Sequence, residues 1–150
     1  MTPMTMEQAH RTGEEALHLR SRLEDLVLVP RWIESLASHY MIPGNTQYAM
    51  NLCLEEVLSN IIRHGYGNAP DRPILVRYTS GRDRFPTLVV DDEAPLFNPL
   101  AFETGPIDET LHRNRIGGLG IHLLRCFATA IEYEPTSSGN RLTMSFSTAG

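Results

Sequence analysis

Hydrophobic and polar positions along this chain change period several times, and each change marks an element. From 46 to 63, Met50, Leu54, Val57, Leu58 and Ile61 recur three and four residues apart, which predicts a long amphipathic helix. Between 26 and 41, Trp32, Ile33, Leu36, Ala37 and Tyr40 repeat that spacing. Pro30 suits a first helical turn, so this helix either starts there or is kinked there. The runs 73–80 and 85–91 are rich in β-branched and apolar residues and read as strands. Gly81-Arg82-Asp83-Arg84 between them is short enough for an antiparallel hairpin.

Two closing strands are expected at 130–135 and 141–147, around the turn Ser137-Ser138-Gly139-Asn140. A third helix is expected at 117–128, with Leu119, Leu123, Leu124 and Phe127 as its apolar positions. Residues 14–23 alternate loosely through Ala16, His18, Leu19 and Leu23 and read as a first strand. Residues 1–13 are polar and unpatterned, as expected of a flexible N-terminal arm, which leaves 14–150 as one domain. The segment 93–115 carries Pro95, Pro99, Gly105 and Pro106 without periodicity. A loop of that length inside a compact domain is usually a lid or a binding loop. The order β-α-α-β-β-loop-α-β-β implies an α+β fold. It is read as a two-layer sandwich, a mixed and mostly antiparallel sheet with about three helices on one face.

Composition narrows the chemistry. The chain has 150 residues, enough for one domain with its own core, and a net charge of −5. That acidic balance argues against direct binding to nucleic acid through phosphate neutralisation. All 13 basic residues are arginine. Without lysine there is no Walker A loop, no eukaryotic-type protein kinase and no Schiff-base catalysis. Cys53 and Cys126 are too few and too far apart for a metal knuckle, and their apolar surroundings predict buried free thiols. The first residues lack a signal-peptide core, and no run approaches the ~20 apolar residues of a membrane helix. A cytoplasmic protein without membrane contact is expected.

Several polar residues stand where chemistry is possible. Glu56 and Asn60 lie one helical turn apart, off the apolar stripe. They are either two solvated residues, or a carboxylate able to deprotonate a hydroxyl beside a carbonyl oxygen able to hold Mg²⁺. His64 follows one turn later and, taken alone, fits a favourable helix-end dipole. Asp91-Asp92-Glu93 ends an apolar strand. It is either a solvated strand end or the place where one Asp accepts a hydrogen bond from an exocyclic amine such as adenine N6. Arg115-Ile116-Gly117-Gly118-Leu119-Gly120-Ile121 puts three glycines before a helix, which fits a packing turn or an anion cradle equally. Gly139-Asn140-Arg141 reads simply as a hairpin turn.

In order along the chain, these pieces resemble the N, G1 and G2 boxes of the GHKL ATPase superfamily. The residues that carry the resemblance are Glu56-x-x-x-Asn60-x-x-x-His64-Gly65-Tyr66, Asp92-Glu93-Ala94 with Phe97-Asn98-Pro99, and Gly117-Gly118-Leu119-Gly120-Ile121. The runs NIIRHGYG and DDEAPLFNPL further resemble the anti-sigma-factor serine/threonine kinases of bacterial sporulation and stress responses. The resemblance implies the Bergerat ATP-binding fold, with ATP and Mg²⁺ as cofactors. Glu56 would be the general base and Asn60 the Mg²⁺ ligand, with His64 near the phosphates. Asp92 would bind the adenine amine, with Ala94 and Phe97 beside it. Gly117, Gly118, Leu119 and Gly120 would wrap the phosphates below a lid running from Pro95 to Arg115, the nearest cation in sequence. Thr143 would lie near the adenine.

The implied partners are an anti-sigma-factor antagonist of the STAS type and a sigma factor, and a homodimer is implied because the family often dimerises. One departure is Ala94, where the G1 box usually has glycine; a lost positive φ there implies weaker or altered adenine binding. No His is followed by an acidic residue and no dimerisation helix is recognised before the domain, so a complete sensor histidine kinase is not expected. Two other functions stay open: an inactive GHKL module regulating partners by contact, and a stand-alone histidine-kinase-like ATPase domain.

Overall fold

A computed structural model describes residues 14–80, 85–101 and 118–148. Five strands form one sheet in the order β1-β2-β3-β5-β4. They are β1 (Glu14–Arg20), β2 (Pro73–Ser80), β3 (Pro86–Asp92), β4 (Ala130–Pro135) and β5 (Asn140–Ser145). Each of the four described pairings is antiparallel. The helices are α1 (Leu28–Tyr40), α2 (Gly44–Asn60) and α3 (Gly118–Phe127), with α2 packed between the other two. The α+β reading therefore holds, and the element order is the expected one. A short 3-10 turn, Leu23–Val27, leads into α1. Pro30 falls in the first turn of α1, where its missing N–H has no intrahelical partner to lose.

The strand period decides which residues meet the helices. On β3, Leu88, Val90 and Asp92 are buried while Thr87, Val89 and Asp91 are only partly covered. On β5 the buried phase runs Asn140, Leu142 and Met144 and continues past the strand end to Phe146. The apolar ones, Leu88, Val90, Leu142, Met144 and Phe146, share one core with Met50, Cys53, Leu54, Val57 and Leu58 of α2 and with Ile33 and Leu36 of α1. The opposite sheet face carries no helix among the described residues.

The expectation of two buried thiols holds at Cys53 and fails at Cys126. Cys53 is buried, and desolvation, helped by the nearby Glu56 charge, pushes its thiol up to about 12. Cys126 is exposed. Among the described side chains of α3 the buried one is Leu124, and a residue two further along points to the far side of a helix with 3.6 residues per turn. The expected N-terminal arm, the turn at 81–84 and the segment 102–117 lie outside the described residues. No described helix is long and apolar enough to cross a membrane.

Candidate functional site

The inner ends of β3 and β5 and the C-terminal end of α2 converge on a cavity of about 270 Å³. Its walls are mostly apolar, with Val57 and Ile61 from the helix, Val90 and Leu142 from the sheet, and Leu124 from α3. Its polar groups are few: Asn60, His64, Asp92, Tyr133 and Asn140. An apolar slot with a few convergent polar groups is the usual form of a small-molecule site.

Asp92 is the pivotal group. It is 8% exposed, being the last inward position of β3. Its Oδ1 accepts from the Ala94 N–H at 2.9 Å and from the Asn140 side-chain amide at 2.9 Å. Among the described residues no donor engages Oδ2, which leaves that oxygen for a ligand's N–H. Burial raises the Asp92 carboxyl above its ordinary value. The hydrogen bonds from Asn140 and Ala94 oppose that shift, and the Asp91 charge adds to it. A carboxylate only accepts, so this slot suits an amino purine better than an oxo purine. The apolar walls and the spare oxygen therefore fit an adenine ring.

Three contacts fix the turn after Asp92. The Tyr66 hydroxyl accepts from Glu93 N–H at 2.7 Å and donates to the Pro73 carbonyl at 2.6 Å. Gly139 lies so close that a Cβ there would collide with the Asp92 carbonyl oxygen. Ala94 is buried, and a Cβ on Gly65 would sit 3.2 Å from its methyl. Ala94 is not among the residues with positive φ, so the methyl that replaces the usual glycine costs no backbone strain. The expected strain penalty at this departure from the G1 pattern is absent.

At the other wall, α2 ends in a wide π-type turn, Ile61–Gly65. Such turns widen a helix by one residue and are frequent at functional sites. Asn60, His64 and Gly65 all line the cavity. Glu56 is half-buried one turn earlier, and its Oε1 accepts from the Asn60 side-chain amide at 3.3 Å. That bond orients Asn60 so that its carbonyl oxygen is the atom left for a cation. Among the described residues no group of three His, Cys, Asp or Glu could hold a metal by itself. The donor set instead fits Mg²⁺ shared with a ligand's phosphates, the way this ion is usually held in phosphoryl-transfer sites.

Of the residues singled out from the sequence, Asn60, His64, Asp92, Ala94 and Phe97 meet at this cavity, with Glu56 joined to it through Asn60. Gly118, Leu119 and Gly120 form the first turn of α3. Arg115 and Gly117 lie outside the described residues. Thr143 is placed elsewhere. It pairs with Val89 and Glu132 in the outward phase of β5, on the sheet face away from the cavity. The residue of that strand which reaches the site is Asn140, which reads from sequence as a plain turn residue. The available signal was its phase: Asn140 is the polar member of the inward series Asn140, Leu142, Met144. Tyr133, likewise missed, lines the cavity and donates to Asn140 Oδ1 at 2.6 Å.

The chain is similar to known proteins in sequence and in fold. The family described as Histidine kinase-like ATPase domain matches residues 19–146. The chain is 26% identical over 114 residues to the serine/threonine-protein kinase BtrW of Bordetella bronchiseptica, covering 75% of this chain and 79% of that protein. It also resembles the histidine kinase domain of the blue-light activated histidine kinase of Erythrobacter litoralis EL346. That likeness has a TM-score of 0.50 at 13% identity and covers 79% of this chain and 60% of the other, so it speaks to the fold alone.

Proposed function

The chain belongs to the histidine kinase-like ATPase family, and from that premise we propose that it is an ATP-dependent protein serine kinase and anti-sigma factor. It phosphorylates a serine on a STAS-type anti-sigma-factor antagonist and sequesters a sigma factor. The observation that carries the reading is the Glu56–Asn60 pair, hydrogen-bonded at 3.3 Å beside a cavity that also holds the buried Asp92. A base and a cation ligand one turn apart, next to a base-reading carboxylate, make the combination needed to move a phosphoryl group to a hydroxyl. The name of the Bordetella relative, a serine/threonine-protein kinase, supports the same direction.

In this reading each residue has a separable task. Asp92 Oδ2 accepts from the adenine amine. The Asn60 carbonyl oxygen holds Mg²⁺. Bound ATP supplies the phosphoryl group, and Mg²⁺ offsets the charge of its phosphates. Glu56 keeps Oε1 on Asn60 and uses Oε2 to take the proton of the attacking serine hydroxyl. Backbone amides at a helix start and a bound cation can hold phosphates, so the absence of lysine is no obstacle.

The test is incubation with Mg·ATP labelled at the γ-phosphate and a STAS-type antagonist. Acid-stable phosphoserine on the antagonist is the expected product. Acid-labile phosphohistidine on a partner would instead mark a histidine-kinase-like ATPase. Nucleotide binding with no transfer would mark a contact-only module.

A further inference from the structure

Asn140 is 7% exposed and both ends of its side chain are engaged. Its amide nitrogen donates to Asp92 Oδ1 at 2.9 Å and reaches the carbonyls of Ala94 and Pro95, each at 3.2 Å. Its Oδ1 accepts from the Phe97 N–H at 2.9 Å and from the Tyr133 hydroxyl at 2.6 Å. One side chain thus touches the carboxylate that faces the cavity and three successive points on the segment that leaves it. The Ala94 N–H also reaches Asp92 Oδ1, and Asn140 extends that tie from the carboxylate out to Pro95 and Phe97. The Tyr133 hydroxyl comes from β4 and fixes which end of the carboxamide points at Asp92, since only an acceptor can face an O–H and an N–H together.

We propose that Asn140, backed by Tyr133, is a positioning residue that holds Asp92 Oδ2 toward the purine and clasps residues 94–97 in the same act. It rests on the adenine-binding reading of Asp92 and deepens it. Base recognition and the placement of residues 94–97 are then one event. A ligand that engages Asp92 stiffens the clasp, and loosening the clasp blurs base selection.

The experiment combines calorimetric titration of the full chain with Mg·ATP and Mg·GTP and hydrogen exchange at the Phe97 amide. Wild type should prefer ATP and protect the Phe97 amide further when ATP is bound. Asn140→Ala should weaken ATP binding by roughly tenfold or more, the usual weight of a hydrogen bond to a charged group, and narrow the ATP-over-GTP ratio. Its Phe97 amide should exchange faster even without nucleotide.

Asn140→Asp has the same shape but no donor, and it would set a second carboxylate where the amide now lies 2.9 Å from Asp92 Oδ1. It should bind ATP less well than Asn140→Ala; a merely space-filling role would rank the two the other way. Tyr133→Phe is a mild variant that should keep the fold, speed exchange at Phe97 and reduce ATP affinity a few-fold.

ATP binding and selectivity at wild-type level in Asn140→Ala and Tyr133→Phe would overturn the role of Asn140 while leaving the site reading intact. The ranking Asp above Ala at position 140 would also overturn it. Wild-type protein that binds no nucleotide would overturn the site reading and this inference together.

Discussion

Two adjacent carboxylates at the end of β3 face opposite sides of the sheet and meet opposite treatment. Asp91 looks outward and is saturated with charge. Arg141 grips it with two nitrogens, Nε to Oδ1 at 2.7 Å and Nη2 to Oδ2 at 3.2 Å, and Arg77 adds a third contact at 3.1 Å. The forked guanidinium suits this bidentate grip in a way an ammonium does not. Asp92 looks inward, is more deeply buried, and has only neutral donors, both on one oxygen. A buried carboxylate without a cation is costly to the fold. The difference separates a charge that ties strands together from one with an oxygen left over, as the proposed adenine contact requires.

That contrast can be broken or sharpened by substitution. The largest effect is expected on the cavity side at Glu56. Glu56→Gln keeps an oxygen for the Asn60 amide but cannot take a proton. Phosphoryl transfer should fall about 10²–10⁴-fold with ATP binding retained, and full activity would remove Glu56 from the chemistry.

Next comes Asp92→Asn. An amide oxygen can still accept from Ala94 and Asn140, while the spare atom becomes a donor and clashes with an amine. ATP-over-GTP preference should drop by roughly tenfold or more. The same variant should not melt lower. Because burial raises the Asp92 carboxyl in the fold, its ionisation costs stability. That cost is absent below the ordinary carboxylate value of 3.8, where folded and unfolded chains both hold the proton, and complete above the raised folded value. Asp92→Asn should therefore match or exceed wild-type stability at pH 7, with any gain fading as the pH falls toward 3.8, as thermal melts across pH will show.

The outer residues provide the counterpart. Asp91→Asn should leave nucleotide affinity unchanged. It should cost only about 1 kcal/mol, because partly exposed ion pairs are weak, and salt should shrink that difference. Denaturant titration at two ionic strengths measures both. The smallest effect is expected at Thr143→Val, on the same outer face. Stability should stay within roughly 0.5 kcal/mol of wild type, and a changed ATP affinity would return Thr143 to the site.

Much of this was legible in the sequence because two periods carried it. The 3.6-residue stripe on α2 located the core and, by exclusion, the Glu56–Asn60 side of the helix. The two-residue phase of β3 locates Asp92 when counted from Leu88 and Val90. The same count on β5 assigns Asn140 inward and Thr143 outward. Motif position pointed to Thr143 instead, and the strand phase overrides it. The clasp around Asn140 was not legible, since its partners on 92–97 and β4 are remote in sequence and meet only through sheet pairing. Cys126 misled because an apolar neighbourhood in sequence says little about the face of a short helix that is covered on one side. Ala94 misled in the other direction: the usual glycine suggested a special φ, and this turn does without one.

The most direct test of the central claim is calorimetric titration of wild type, Asp92→Asn and Asp91→Asn with Mg·ATP and Mg·GTP. The account predicts that wild type and Asp91→Asn prefer ATP alike and that Asp92→Asn alone loses the preference. Equal binding of both nucleotides by wild type, or loss of selectivity through Asp91, would contradict it.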